Sequence, residues 1–426
     1  MHRGCLLVAM ALLLSAASVA TPYAEQLPAG QSPGNLVSNP YCLVGGCGYG
    51  RDGIPAPYAG GGLAGRSARA YSRSADPVFG AKRTNLLSWV SSADMIGTPT
   101  NANDIWGYTS PSGREYAIVG LKTGTAFVEI TDPVNPQFVR LVRGAVSDWR
   151  DMAVYRSYAY SINETNDGIQ VIDLTQIDDG IVSLSRTVKD AGLYRAHNIF
   201  VNEDSGYAYV LGSNIARGGL LAADLSDPAN PVLEPINWEV AYVHDVIVTT
   251  YKRGRNKGRE IAFAFTGRFG LHIIDVTDPI TLANLRYDNA TYGHSGSLSA
   301  NGRFLYVNDE LDERANSDVD RMTTYIVRVG DLENPVLIDT IAWDARTIDH
   351  NSMIQDGRMY MSAYQGGLRV IDVEDPRRPK AYGYFDTHPE GETATFTGAW
   401  GIYAGFPSGN VIVSDIERGL FVIRAR

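Results

Sequence analysis

The chain has 426 residues, 44% hydrophobic and 20% charged, with 44 Gly, 24 Tyr and 3 Cys. That much apolar and aromatic material excludes disorder over most of its length, because it can bury a large core. A formal charge of −10, from 37 Lys+Arg against 47 Asp+Glu, opposes nucleic acid and anionic lipid as partners and leaves cations open.

Residues 1–20 place His2 and Arg3 ahead of an apolar run from Leu6 to Leu14 and end on the small residues Ala17, Val19 and Ala20. This order predicts a secretory signal peptide cut after Ala20, and hence an extracellular or periplasmic protein. The apolar run is too short to span a bilayer, and no other segment reads as transmembrane. Cys5 would leave with the signal. Residues 21–80 are rich in Gly, Pro, Ser and Ala without sustained periodicity and read as a flexible leader. Its cysteines, Cys42 and Cys47, are expected to form a local disulfide, since export places them in an oxidising compartment and a metal or redox pair would want a CxxC spacing.

From 81 to 426 the sequence repeats itself. A Gly, a run of β-formers, an acidic residue and often Asp-Pro recur at 126–133, 168–174, 219–228, 270–279, 326–331, 367–376 and 419–424. The apolar run predicts a buried strand, and Asp-Pro ends it because Pro lacks a ladder donor while Asp can bond the following backbone. Strands are expected on both sides of each run, with one further strand ahead. That first strand carries its own recurring element. Aligning Asn103, Arg150, His197, His244, His294, His350 and Ala399 gives steps of 47, 47, 47, 50, 56 and 49 residues. Four strands at this period predict the blades of an all-β, seven-bladed propeller. The last blade lacks a fourth strand of its own, so Asn85–Val90 is expected to complete it and close the ring, in preference to an open solenoid.

The repeat resembles the LVIVD repeat, and the chain is similar to the choice-of-anchor B family of secreted bacterial proteins. The likeness rests on the runs ending at Asp173, Asp275 and Asp372, on His197-Asn198 and His244-Asp245, and on the acidic stretch Asn308–Glu313. It implies a β-propeller outside the cytoplasm and brings no established reaction. The chain ends at Arg426 without the hydrophobic tail or sorting domain that the family's name refers to, which favours free secretion.

Four of the histidines, His197, His244, His294 and His350, hold one register position in consecutive blades, at the start of the strands expected nearest the axis. Imidazoles converging there suit Zn, Cu or Fe. Equally, the repeat could keep His as a packing residue bonded to its neighbours Asn198, Asp245, Ser295 and Asn351. Arg150 and Asp151 occupy the equivalent places in blade two, and with Asn198, Asp245, Asn351, Trp106 and Trp400 they form the expected ligand-binding face, on which Trp106, Trp149 and Trp400 are read as exposed. The acidic stretch from Asp309 to Asp320 reads either as a solvated loop or as a Ca²⁺ site, although it lacks the fixed Gly and final Glu of the twelve-residue calcium loop. Asp309 and Glu310, beside the blade carrying His294, are expected to join the histidines in a mixed site. Glu129, Asp173, Asp224, Asp275 and Asp372 recur at one strand position and are read as structural. The basic stretch Lys252–Arg259 reads as an exposed hairpin loop.

No nucleophile elbow, HExxH pair, phosphate loop or dinucleotide fingerprint is present. The function expected is therefore a secreted binding scaffold, acting as a monomer and recognising a protein or polysaccharide. The alternative is a metal-dependent enzyme using the axial histidines, in the manner of the copper-dependent methanethiol oxidases that its fold resembles.

Overall fold

A computed structural model describes residues 55–62 and 79–426, apart from 239, 289 and 317. The expected signal peptide and the expected Cys42–Cys47 disulfide lie outside the described residues. Seven antiparallel sheets follow one another along the chain, five of them built of four consecutive strands and two joined by a strand from the N-terminal side. Blade one is Ala102–Thr109, Glu115–Leu121, Gly124–Glu129 and Gln137–Arg143, and blade two begins at Arg150–Tyr155. The innermost strands of blades three to seven are Asn198–Asn202, Asp245–Thr250, Gly293–Leu298, Ser352–Gln355 and Ala399–Tyr403. Thr84–Val90 pairs antiparallel with Gly419–Ala425 and supplies the fourth strand of blade seven. The protein is a seven-bladed β-propeller.

The core consists of seven layers between neighbouring blades. One layer joins Ile118 and Phe127 of blade one to Ile172 of blade two, and the last joins Leu420 and Val422 of blade seven to Ala117 and Val119 of blade one. Second and third strands are consequently covered on both faces: Glu115–Leu121 is buried at every position. This explains why the repeats read as continuous apolar runs and not as alternating patterns. Fourth strands face solvent, as in Val336–Ala342, where most positions are exposed.

The recurrent acids cap the third strands. Asp173, Asp224, Asp275 and Asp372 each accept the backbone N–H two residues on, from Thr175, Ser226, Thr277 and Glu374. Glu129 instead pairs with Arg114. Lys252 and Arg255, in the exposed turn of blade four, reach Asp204 and Asp331.

Three features depart from the sequence reading. Ala81–Lys82 pairs with Tyr384 and Phe385, giving blade six a fifth, two-residue strand. Every third-to-fourth strand pairing also contains a register shift, for example between Phe127 and Val128 and between Ile326 and Val327. Such bulges tighten the twist and blunt the outer edge. Finally, part of the segment read as leader is packed on the ring. Tyr58 donates its N–H to the Glu417 carbonyl at 2.8 Å and lies 5.1 Å from Trp89, while Phe79 meets Trp89 and Phe421 edge-on. Large aromatics bury apolar surface wherever a groove accepts them, whatever the composition around them.

Candidate functional site

Residues at the entry to the innermost strands converge on the axis and form an arc of rings. His197 and His244 have centroids 4.1 Å apart, His244 and His294 4.2 Å, His294 and His350 4.3 Å, and His350 and Trp400 4.4 Å. Trp400 then stacks on Trp149 at 5.1 Å, spanning blade one. The rings enclose a tight cavity of about 30 Å³, room for little more than a water or an ion. Next to it, sharing Asp104, Asp151, Asn198 and Asn351, is a wider cavity of about 250 Å³ that Asp245 and Trp106 also line.

The ring orientations repeat from blade to blade. His244 Nδ1 lies 3.3 Å from the His294 carbonyl, and His350 Nδ1 lies 2.7 Å from the Trp400 carbonyl. His294 leans on the His350 backbone in the same sense, outside hydrogen-bond geometry. A proton on Nδ1 of His244 and His350 leaves Nε2 as the free lone pair, the tautomer that a ligand needs. Burial and neighbouring imidazoles push His244 and His294 well below the usual histidine range, and burial takes His350 down to about 3. Burial thus favours the neutral form of these three rings.

Glu310 is the acid that faces them. It follows the second strand of blade five, is 4% exposed, and accepts the Tyr364 hydroxyl at 2.6 Å. Its oxygens lie 3.7 Å from His294 Nε2 and 3.6 Å from His350 Nε2. Those separations are too long for hydrogen bonds. They are close to the roughly 3.4 Å expected between two donors held at about 2.1 Å by one tetrahedral ion. Donor atoms of His244, His294 and Glu310 all lie within 4.8 Å of one another, and His350 Nε2 is buried without a hydrogen-bond partner. Desolvation raises Glu310 to about 7. His197 is held differently, with Nδ1 2.7 Å from Glu164 Oε1.

The other predicted residues divide. Asp309 does not join the histidines: it ends its strand, fully buried, with its oxygens taken by the N–H groups of Thr291 and Tyr292. Arg150 is buried and spends its guanidinium on the carbonyls of Leu121 and Ala145, and burial lowers it to about 10. Asp151 accepts from Met152 and Ile199, and Asp245 from Val246. Burial raises Asp151 well above the ordinary carboxylate range and Asp245 to about 7. Trp149 and Trp400, expected to be exposed, are 3% and 7% exposed because each covers the other's face. Trp106 is partly buried against Tyr403. The acidic stretch is not one loop: Asp309, Glu310 and Asp312 are buried, whereas Asp318 and Asp320 are exposed.

Glu164 and Tyr364 were not anticipated. A signal for Glu164 existed, since Glu164 and Glu310 occupy the same register, directly after the second strands Tyr158–Asn163 and Phe304–Asp309.

The LVIVD repeat family matches residues 195–236, which is blade three with the histidine at its entry. Among solved structures, a protein from Lactobacillus plantarum is similar at 12% identity with a TM-score of 0.50, covering 74% of this chain and 88% of that one. The β-propeller domain of Cps50 (Swd1) from Myceliophteria thermophila aligns at 14% identity with a TM-score of 0.48, over 77% and 99% of the two chains. Likeness at this identity concerns the fold alone. Among curated proteins no sequence matches. No helix among the described residues is long and apolar enough to cross a membrane.

Proposed function

We propose that this LVIVD-repeat propeller is an exported binding scaffold of the choice-of-anchor B kind, which holds one transition-metal ion on its axis through His244, His294, His350 and Glu310. The observation that carries this reading is the pair of 3.6–3.7 Å approaches between Glu310 and the Nε2 atoms of His350 and His294, in a cavity of ionic size. Imidazole with carboxylate suits Zn, Fe or Cu, and an outside group would bind where only three of the four protein donors engage the ion, or by expansion to five-coordination. A protein or polysaccharide partner is then recognised over the same propeller face, with the ion as one point of contact.

Metal analysis of protein purified from its own periplasm or medium tests this. One equivalent of Zn, Fe or Cu, lost in His294→Ala and Glu310→Gln, is the expected result. Folded protein that carries no such metal, and takes up none when it is supplied, overturns it. A second reading, a metal-dependent enzyme, is favoured by the cavity of about 250 Å³ beside the site, which has the size for a small substrate.

A further inference from the structure

A second group of acids lies next to the axial site. Asp312 and Glu313 belong to the short helical turn Asp312–Ala315, and Asp349 directly precedes His350 at the entry to blade six. One oxygen from each lies within 4.8 Å of the other two. Asp312 and Asp349 are fully buried and Glu313 partly so.

Each carboxylate has one satisfied oxygen. Tyr325 donates its hydroxyl to Asp312 Oδ2 at 2.7 Å, Asn308 donates Nδ2 to Asp349 Oδ2 at 2.5 Å, and the Thr323 N–H reaches Glu313 Oε1 at 2.9 Å. The remaining three atoms, Asp312 Oδ1, Asp349 Oδ1 and Glu313 Oε2, are buried and take no hydrogen bond from outside the cluster. Acceptors left this way are destabilising unless something else fills their lone pairs. Three carboxylates this close repel one another unless a cation or protons intervene. Among the described residues no cationic side chain forms an ion pair with them.

We infer that Asp312, Glu313 and Asp349 form a hard divalent-cation site that takes Ca²⁺ through these three unsatisfied oxygens. An oxygen-only donor set disfavours the imidazole-seeking metals of the axis, and Ca²⁺ tolerates the mixed and flexible carboxylate geometry that a turn and a strand entry supply. The position of the site gives it a purpose. Asp312 comes two residues after Glu310, and Asp349 comes one before His350, so a single ion would tie together the two segments that deliver an acid and an imidazole to the axis. The donors are distinct from the axial set, and the inference stands whether or not a transition metal binds there.

The test is calorimetric titration of the chelator-treated full chain with CaCl₂. One saturable equivalent is expected, together with a melting temperature that rises with Ca²⁺ and falls on chelation. Asp349→Asn and Glu313→Gln should lose both effects, and Asp320→Asn, at an exposed acid of the same segment, should keep them. Glu313→Gln serves as the second variant should Asp349→Asn fail to fold. No heat at millimolar Ca²⁺ from folded protein, with an unmoved melting temperature, would mean that protons neutralise the carboxyls and would sink the proposal. Unchanged binding in the folded variants would do the same.

Discussion

Trp149 and Trp400 stack face to face, with ring centroids 5.1 Å apart and planes within 17°, and so bridge the place where the histidine arc is interrupted. His350 fixes one side of the pair, since its Nδ1 lies 2.7 Å from the Trp400 carbonyl. The stack walls the cavity where blade one supplies no ring.

Trp400→Ala should therefore cost about 3–5 kcal/mol of stability, the usual penalty for emptying a buried tryptophan site. Urea denaturation would read it. A loss under about 1 kcal/mol would mean that the ring is not part of the packed wall.

The axial ion gives unequal expectations for the four histidines. His294→Ala should abolish stoichiometric metal, because His294 faces Glu310 directly. His197→Ala should leave one equivalent bound, since that ring is engaged by Glu164. Metal content of the two folded variants, measured side by side, checks the difference. Equal loss in both would replace the His294-centred arrangement with one spanning all four rings.

His272 supplies a pH prediction away from the axis. It is buried between Thr266 and Asn284, with Trp238 edge-on, and burial lowers it to about 4 from an ordinary 6.5. The folded state resists the proton that the unfolded chain accepts, so stability is complete above pH 6.5 and is lost as pH falls towards 4. The amount is about 3 kcal/mol for this one group. His272→Gln should flatten the acid limb across that window, as judged by urea midpoints at pH 7, 5 and 4. An unaltered slope would show that His272 is not titrating there.

Ring closure depends on Trp89, which is 1% exposed, donates Nε1–H to the Arg418 carbonyl at 2.7 Å and stacks on Phe421 with planes 2° apart. Trp89→Ala should cost about 3–5 kcal/mol. Deleting Asn85–Val90 should do more, exposing the Gly419–Ala425 edge and driving aggregation. A truncated protein with an unchanged melting curve would refute closure by this strand.

The blades were legible because each second and third strand is buried on both faces, which leaves an apolar run at every repeat. Closure was legible too, since Leu86, Trp89 and Val90 carry the apolar character of the other fourth strands. The bulges were not, because they arise from twist between strands and leave no residue signature. Packing of Tyr58 was hidden for a similar reason: its groove is built by Trp89 and Arg418, far away in the chain. At the axis, one register position revealed four imidazoles. The separation of Glu310 from Asp309 was not legible, because it depends on where the strand stops: Asp309 is the last residue of the ladder and Glu310 lies in the turn beyond it.

Trp89 and Arg418 are bonded across 329 residues. Until blade seven has been synthesised, Thr84–Val90 has no partner, and the apolar faces of blade one that will meet Leu420 and Val422 stay uncovered. A ring joined this way is dominated at its seam by contacts remote in sequence, which fold slowly and leave nascent chains open to misassociation. Completion of the axial chamber is thereby deferred to the end of translation, so any ion held on the axis would meet its finished pocket only in the full-length protein.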